Sequence, residues 1–190
     1  MAPSATPSAL VADIGGTNTR VALARDGAVD PSSIRRFANA QHPGLAPIVT
    51  AYLADQHATD LAGACVAAAG PVREGVAQMT NLDWTIDGDT LAAATGAAHV
   101  AILNDLQAQG HAVGAHAPGT VQGILPGAAD TPTTPALVIG VGTGFNAAPV
   151  HDMPEGRLVA PSECGHANLP IRSEADLRLC QFVDRTYGFP

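Results

Sequence analysis

Glycines 15 and 16 stand between an acid and two polar residues in Ala12-Asp13-Ile14-Gly15-Gly16-Thr17-Asn18. Such a stretch can turn backbone N–H groups toward an anion, because glycine lets the chain approach closely. Thr17 and Asn18 add side-chain donors. Asp13, read here as a buried acid, is placed to hold Mg2+ beside a phosphate, directly or through water. An ordinary tight hairpin would use the same glycines for backbone geometry alone, and both readings stand at this point. The second cluster is Asn104-Asp105, at the end of the apolar run Ala101-Ile102-Leu103. Strand carboxyl ends are where α/β folds place ligands, so Asp105 could accept a proton from a substrate hydroxyl while Asn104 bonds a neighbouring one. Helix capping is the competing role, since Asn and Asp are favoured caps. The third cluster is Ser162-Glu163-Cys164-Gly165-His166. A carboxylate and an imidazole around a glycine can pair with adjacent sugar hydroxyls, each a donor and an acceptor. As a metal site it falls short, because no further His or Cys cluster completes the ligand set. Asn81, in Asn81-Leu82-Asp83-Trp84, is a candidate cleft residue, whereas Trp84 is expected in the core.

The elements that must position these residues follow from periodicity. Leu10 to Ile14 and Arg20 to Ala24 are apolar runs parted by the glycines, the pattern of a hairpin. Ser33 to Phe37 reads as a third strand. Leu45, Ile48, Val49, Tyr52 and Leu53 recur at helical spacing within residues 43–57, with proline near the start. Ala62 to Ala69 has a buried-strand pattern ending at Gly70-Pro71, and Asp87 to Thr95 a short helix stopped by Gly96. His99 to Leu103 is a further strand and Asp105 to Val113 a further helix. This alternation predicts an α/β fold with a largely parallel sheet entered by a hairpin. Prolines 118, 126, 132 and 135, with glycines 119, 123 and 127, mark a connector. The opening signal then returns, since Ala136 to Gly142 aligns with Ala9 to Gly15 at an offset of 127 residues. Two related α/β units facing a cleft would explain the return; chance similarity of Gly- and Val-rich strands is the alternative.

Composition limits the function classes. Hydrophobic residues are 46% of 190, enough for a sizeable core, and aromatics only 4%, so aliphatic side chains must fill it. The net charge is −8, with nine arginines, no lysine and no basic cluster beyond Arg35-Arg36, which argues against a nucleic-acid surface. Without lysine there is no Walker-type phosphate loop. No apolar stretch approaches the roughly 20 residues that span a bilayer. Three cysteines without paired spacing favour a reducing compartment, and Met1 to Ser8 lacks the marks of a secretory signal. A cytoplasmic, globular protein is expected.

In order and approximate spacing, five segments resemble the bacterial glucokinase family, within the actin, Hsp70 and hexokinase group of ATPase folds. They are 10–20, Met79-Thr80-Asn81-Leu82-Asp83-Trp84, 102–106, Gly140-Val141-Gly142-Thr143-Gly144 and Glu163-Cys164-Gly165-His166. The resemblance implies a ribonuclease H-like (actin-like) α/β fold. Its first domain would span residues 1–117, followed over 118–190 by a connector and the opening part of a larger, truncated sugar-binding domain. It implies that Ala12 to Asn18 contact the phosphates of ATP, accompanied by Mg2+, and that Asp105 is the catalytic base. Asn104, Glu163 and His166 would bind glucose hydroxyls, helped by backbone around Gly142, Thr143 and Gly144. Another hexose or amino sugar is the neighbouring expectation, and a sugar-binding remnant without turnover the one outside enzymes. Three departures stand out. Ser162 and Cys164 replace the usual glycines beside the glutamate, and Pro149 is ill suited to a central strand. The chain also stops at Pro190, ahead of the family's later sugar-binding glutamate, adenosine segment and closing helix. Pairing with a second copy or with a complementing C-terminal polypeptide is the expectation that follows from an exposed sheet.

Overall fold

A computed structural model describes residues 8–79, 81–126, 134–142 and 145–188, with only the backbone of His166. Thr143, Gly144, Thr80 and residues 127–133 of the connector lie outside them. The chain opens with β1 (Ala9–Ile14) and β2 (Asn18–Arg25), an antiparallel hairpin in which Asp13 faces Arg20 and Ile14 faces Thr19. In β1 the side chains alternate, with Leu10, Ala12 and Ile14 inward at 0–7% exposure. The short β3 (Ala28–Val29) returns through Asp26-Gly27, both at positive φ as a tight two-residue hairpin turn requires. Next, β4 (Arg35–Ala38) pairs with the Asn18–Val21 part of β2. It begins two residues later than the run at Ser33 indicates, because Pro31–Ser33 form a 3-10 turn.

Helix α1 (Leu45–Asp55) buries Leu45, Ile48, Val49 and Tyr52, spaced three, one and three apart. Pro47 lies in its first turn, where a missing N–H breaks no helical bond. Strand β5 (Gly63–Ala68) lies parallel to β1, and three short strands, β6 (Val72–Arg73), β7 (Val76–Gln78) and β8 (Thr85–Ile86), form a small antiparallel sheet. Trp84, 7% exposed, sits in the core as its type suggests. Helix α2 (Gly88–Thr95) is capped by Asp87, whose carboxyl is held below its ordinary value by bonds from the Thr90 N–H and hydroxyl. Strand β9 (Val100–Asn104) adds to β5 in parallel and runs straight into helix α3 (Asp105–Ala112). The main sheet therefore has the order β3-β2-β1-β5-β9, with β4 also on β2. Leu10, Ile14, Ile48, Val49, Val66 and Leu91 belong to one core cluster beneath it. Each fully buried aliphatic side chain contributes about 1.5–3 kcal/mol.

The return of the opening signal has a structural counterpart. Strand β10 (Ala136–Val141) is six residues long like β1, and it too enters an antiparallel hairpin, with β11 (Phe145–Met153). Strand β12 (Gly156–Val159) completes this sheet. Pro149 does sit in its middle strand, against the expectation for proline. It faces Leu137 on one side only, because pairing with β12 begins at Val150. Helix α4 (Glu174–Tyr187), capped by Ser173 and ended by Gly188 at φ 83, closes the described chain.

Helix α3 joins the two sheets. It leaves the main sheet at Asn104, and Leu106 packs with Ala148, Val150 and Val159 of the second. Gly110 makes the approach close: a Cβ there would lie 2.6 Å from Val159 Cγ1 and 3.2 Å from Val150 Cγ2. Both neighbours are β-branched and stiff, so they cannot swing aside. Alanine normally favours a helix by about 1 kcal/mol over glycine. Here overpacking should win, and Gly110→Ala is expected to lower stability by about 1–3 kcal/mol in denaturant titration. At Gly88, where a Cβ meets Val100 at an ordinary 3.5 Å, Gly88→Ala should be neutral or stabilising. A Gly110→Ala protein as stable as the wild type would mean that α3 does not press on the second sheet.

Candidate active site

Because β1, β5 and β9 are parallel and in register, Ile14, Ala68 and Asn104 align at one end of the sheet. The first hairpin tip, the Gly70 turn and the start of α3 therefore share the carboxyl edge, where α/β sheets bind ligands. Hydrogen bonds lock them together. Ala69 N–H donates to Ile14 C=O at 2.9 Å, and Asn104 Nδ2 donates to Gly70 C=O at 3.0 Å.

Asn104 caps the helix, and Asp105 follows it as the first helical residue. Asn104, 8% exposed, caps α3, its Oδ1 accepting from Leu106 N–H at 3.0 Å. Gln107 completes the capping box by accepting from the Asn104 N–H at 3.1 Å. Both polar atoms of the Asn104 side chain are thus engaged with backbone. Asp105, the first residue of the helix, is half-buried and points into an open cleft of about 520 Å3. Across this cleft stand Gly140, Val141 and Gly142 from the second hairpin, Phe145 and Asn146 from β11, and Glu163 and Gly165 from the segment after β12. Gln109, one turn into α3, lines it too and was not singled out in the sequence, where it reads as an exposed helix residue. Asp105, Gly142 and Glu163 are brought together. Thr143 and Gly144 lie outside the described residues, and of His166 only the backbone, ending a 3-10 turn, can be placed.

The first hairpin does not line that cleft. Ala12 and Ile14 turn their side chains into the core, leaving only backbone for a ligand. Gly16 and Thr17 are exposed, and the Gly16 N–H donates to no partner among the described residues. Neither Gly15 nor Gly16 has positive φ, and a Cβ would meet only Asn18 C=O at 3.6 Å or Asn81 Nδ2 at 3.5 Å. Neither conformation nor packing therefore demands glycine here, in contrast to Gly110. Asn81 lies exposed against Gly16, at the edge of the hairpin rather than in the cleft. Asp13 corrects the reading of a buried acid. Strand alternation turns it to the opposite sheet face from Ala12 and Ile14, where its side chain is 55% exposed and its Oδ2 meets Arg20 Nη1 at 3.0 Å. Its other oxygen has no protein partner among the described residues. A single exposed carboxylate suits Mg2+, which keeps most of its water and takes phosphate oxygens.

What holds the hairpin tip is a residue without a recognisable motif. Asn39, 1% exposed, donates from Nδ2 to Gly15 C=O at 2.8 Å and accepts from Thr19 Oγ1 at 2.8 Å. Its N–H donates to Thr17 C=O at 3.0 Å. It lies 20 residues beyond Thr19, in a 3-10 turn after β4 that no local pattern announces.

The family model for glucokinase matches residues 10–189. A glucokinase of Pseudomonas paraeruginosa is 32% identical over 183 residues, covering 95% of this chain and 53% of that protein. The crystal structure of a glucokinase from an Antarctic psychrotroph is similar with TM-score 0.77 and 29% identity, covering 96% of this chain and 58% of the other. A ROK family glucokinase from Streptomyces griseus, solved in complex with glucose and AMPPNP, is similar in fold, with TM-score 0.54 and 21% identity over 80% of this chain and 46% of its own. The chain spans about half the length of the curated relatives it matches. Asn39→Ala would leave the buried Thr19 hydroxyl and the Gly15 carbonyl unpaired, at roughly 1–3 kcal/mol for each such group. Urea unfolding should show a loss of about 2–4 kcal/mol. A loss under about 0.5 kcal/mol, the range of an ordinary surface change, would remove Asn39 from this role.

Proposed function

The chain belongs to the glucokinase family, and on that footing we propose that it is built to transfer the γ-phosphoryl group of ATP to the 6-hydroxyl of glucose, with Asp105 as general base. The observation that carries the proposal is the cleft itself. Two carboxylates from separate segments, Asp105 at the start of α3 and Glu163 after β12, line one opening of about 520 Å3 beside the glycines of the second hairpin. That volume falls within the roughly 300–1,000 Å3 of small-molecule sites. The fold shared with a relative that binds glucose and AMPPNP supports the same two ligands here.

In this reading residues 1–117 present the phosphates and residues 118–190 contribute the connector and the opening part of the sugar-binding domain. Glucose lies in the cleft, its hydroxyls shared among Asn104, Glu163, His166 and the backbone of Gly142, Thr143 and Gly144, with Asn81 beside it at the hairpin edge. Within Ala12 to Asn18, the hairpin tip faces the phosphates with the Gly16 N–H and the Thr17 and Asn18 side chains. Asp13 would hold Mg2+, directly or through water, and the bound ion supplies neutralisation of phosphate charge. Asp105 accepts the proton of the 6-hydroxyl as its oxygen bonds the γ-phosphorus, while the bond to the β-phosphate oxygen breaks and ADP leaves. Because the transition state is loose, the base acts late, and a carboxylate ionised at neutral pH suffices. Most of the acceleration then comes from holding hydroxyl and phosphorus in line. A cytoplasmic setting accords with this substrate pair and with three free thiols among the described residues, at Cys65, Cys164 and Cys180.

Asp105→Asn keeps the shape of the side chain and removes its basicity. Turnover in a coupled ATP/glucose assay should fall by about 10²- to 10⁴-fold with glucose affinity nearly unchanged. Equal loss of both would make Asp105 a binding group only. Glu163→Gln should weaken glucose in calorimetry by about tenfold and leave ATP affinity alone, at the roughly 1.4 kcal/mol expected for one charge-assisted bond. Unchanged glucose affinity would reject the role of Glu163.

A further inference from the structure

Glu163 sits in a segment without regular structure, 58 residues beyond Asp105, yet its carboxylate faces the cleft with no hydrogen bond to any described residue. Something other than its own side chain must hold it there. The geometry points to Asn146 as the positioning residue for Glu163, a role that rests on reading Glu163 as a sugar ligand.

Asn146 lies in β11, one residue past its start, and is half-buried. Its Nδ2 donates to the Ser162 carbonyl at 2.6 Å, and its Oδ1 accepts from the Cys164 N–H at 3.1 Å. These two bonds grip the backbone on either side of Glu163. The same Oδ1 accepts from the Ala147 N–H at 2.9 Å, which fixes the side chain's own rotamer against its strand. Immediately beyond, Gly165 lies so close to β11 that a Cβ would come within 2.0 Å of the Phe145 carbonyl oxygen. The segment is therefore pressed onto the strand and pinned by one amide, while the carboxylate between the pins stays free for a ligand.

Only an amide of this length does both jobs. Alanine offers neither bond. Aspartate keeps the acceptor for Cys164 but sets a carboxylate against the Ser162 carbonyl, so it repels one end of the clamp. Glutamine carries the same groups one methylene farther out, past the 2.6 Å contact. Asn146 also stands beside the turn of the hairpin that carries Gly140 and Gly142, opposite Gly140 in register. Through Asn146 the hairpin and Glu163 move as one wall of the cleft.

The test uses the 190-residue chain and glucose as the probe, in calorimetry of the wild type, Asn146→Ala, Glu163→Gln and the double variant. Asn146→Ala is expected to weaken glucose about tenfold, and the double variant to be within about twofold of Glu163→Gln alone, since the clamp acts through that carboxylate. A residue with a merely structural role would lower affinity by the same factor in both backgrounds, and that additivity would overturn the proposal, as would wild-type affinity in Asn146→Ala. If the wild type binds no glucose, or Glu163→Gln leaves binding intact, the sugar reading of Glu163 fails by itself. Hydrogen exchange then decides the clamp: faster exchange confined to residues 162–166 in Asn146→Ala upholds it, and unaltered exchange there overturns it.

Discussion

Helix α3 leaves β9 through Asn104, and what the rest of the molecule can do depends on how that junction is built. The Asn104 side chain spans the helix start and the Gly70 turn, so the first helical residue has one orientation relative to the sheet. That residue is Asp105. Its acid therefore points where backbone geometry sends it, and no partner side chain is needed to aim it. One turn later the helix is clamped from the other side. Gln107 Nε2 donates to the Val159 carbonyl at 3.1 Å, and the Arg157 guanidinium reaches the carbonyls of His111 and Val113 at the helix end. The helix is thus a rigid strut, and the second sheet docks on it rather than on the first sheet.

Two sets of glycines in this chain contrast with each other. At Gly110, Gly140 and Gly165 a Cβ would come within 2.0–2.8 Å of Val159, Leu106 or the Phe145 carbonyl, so close packing requires glycine there. Gly140 pressed on Leu106 is the reciprocal of Gly110 pressed on Val159: each sheet–helix contact has its own small residue. At Gly15, Gly16 and Gly142 no such neighbour exists, and none has positive φ. The molecule by itself does not account for those three. At the first tip, the exposed Gly16 backbone is what an approaching ligand would use.

Much of this was legible in the chain. The β1–β2 hairpin, α1, β5, α2, β9 and α3 all appear within two residues of where periodicity puts them, because each is long or strongly patterned. The strands β6, β7 and β8 were not legible, since two or three residues are too few to display an alternation. Nor was the exposure of Asp13: an acid in an apolar run reads as buried, and only the strand's phase shows that it falls on the open face. The site was legible where a residue type announces chemistry, as in Asp105 and Glu163. It was not where an amide does silent work at long range. Asn39 and Asn146 bond partners 24 and 16–18 residues away, and such pairings exist only once the sheets are formed.

Charge also distinguishes the cleft from the tip of the first hairpin. The chain carries −8 overall, and the cleft is lined by two carboxylates with no arginine among its described residues. A nucleotide triphosphate in that opening would face both acids, and like charges in a partly shielded site cost far more than in water. A neutral polyol faces no such penalty, because each carboxylate can accept from its hydroxyls. The hairpin tip is the reverse case. It has exposed N–H groups, a threonine hydroxyl and no acid other than Asp13, already partnered by Arg20. Backbone N–H dipoles of that kind suit an anion in a protein that has no lysine to offer.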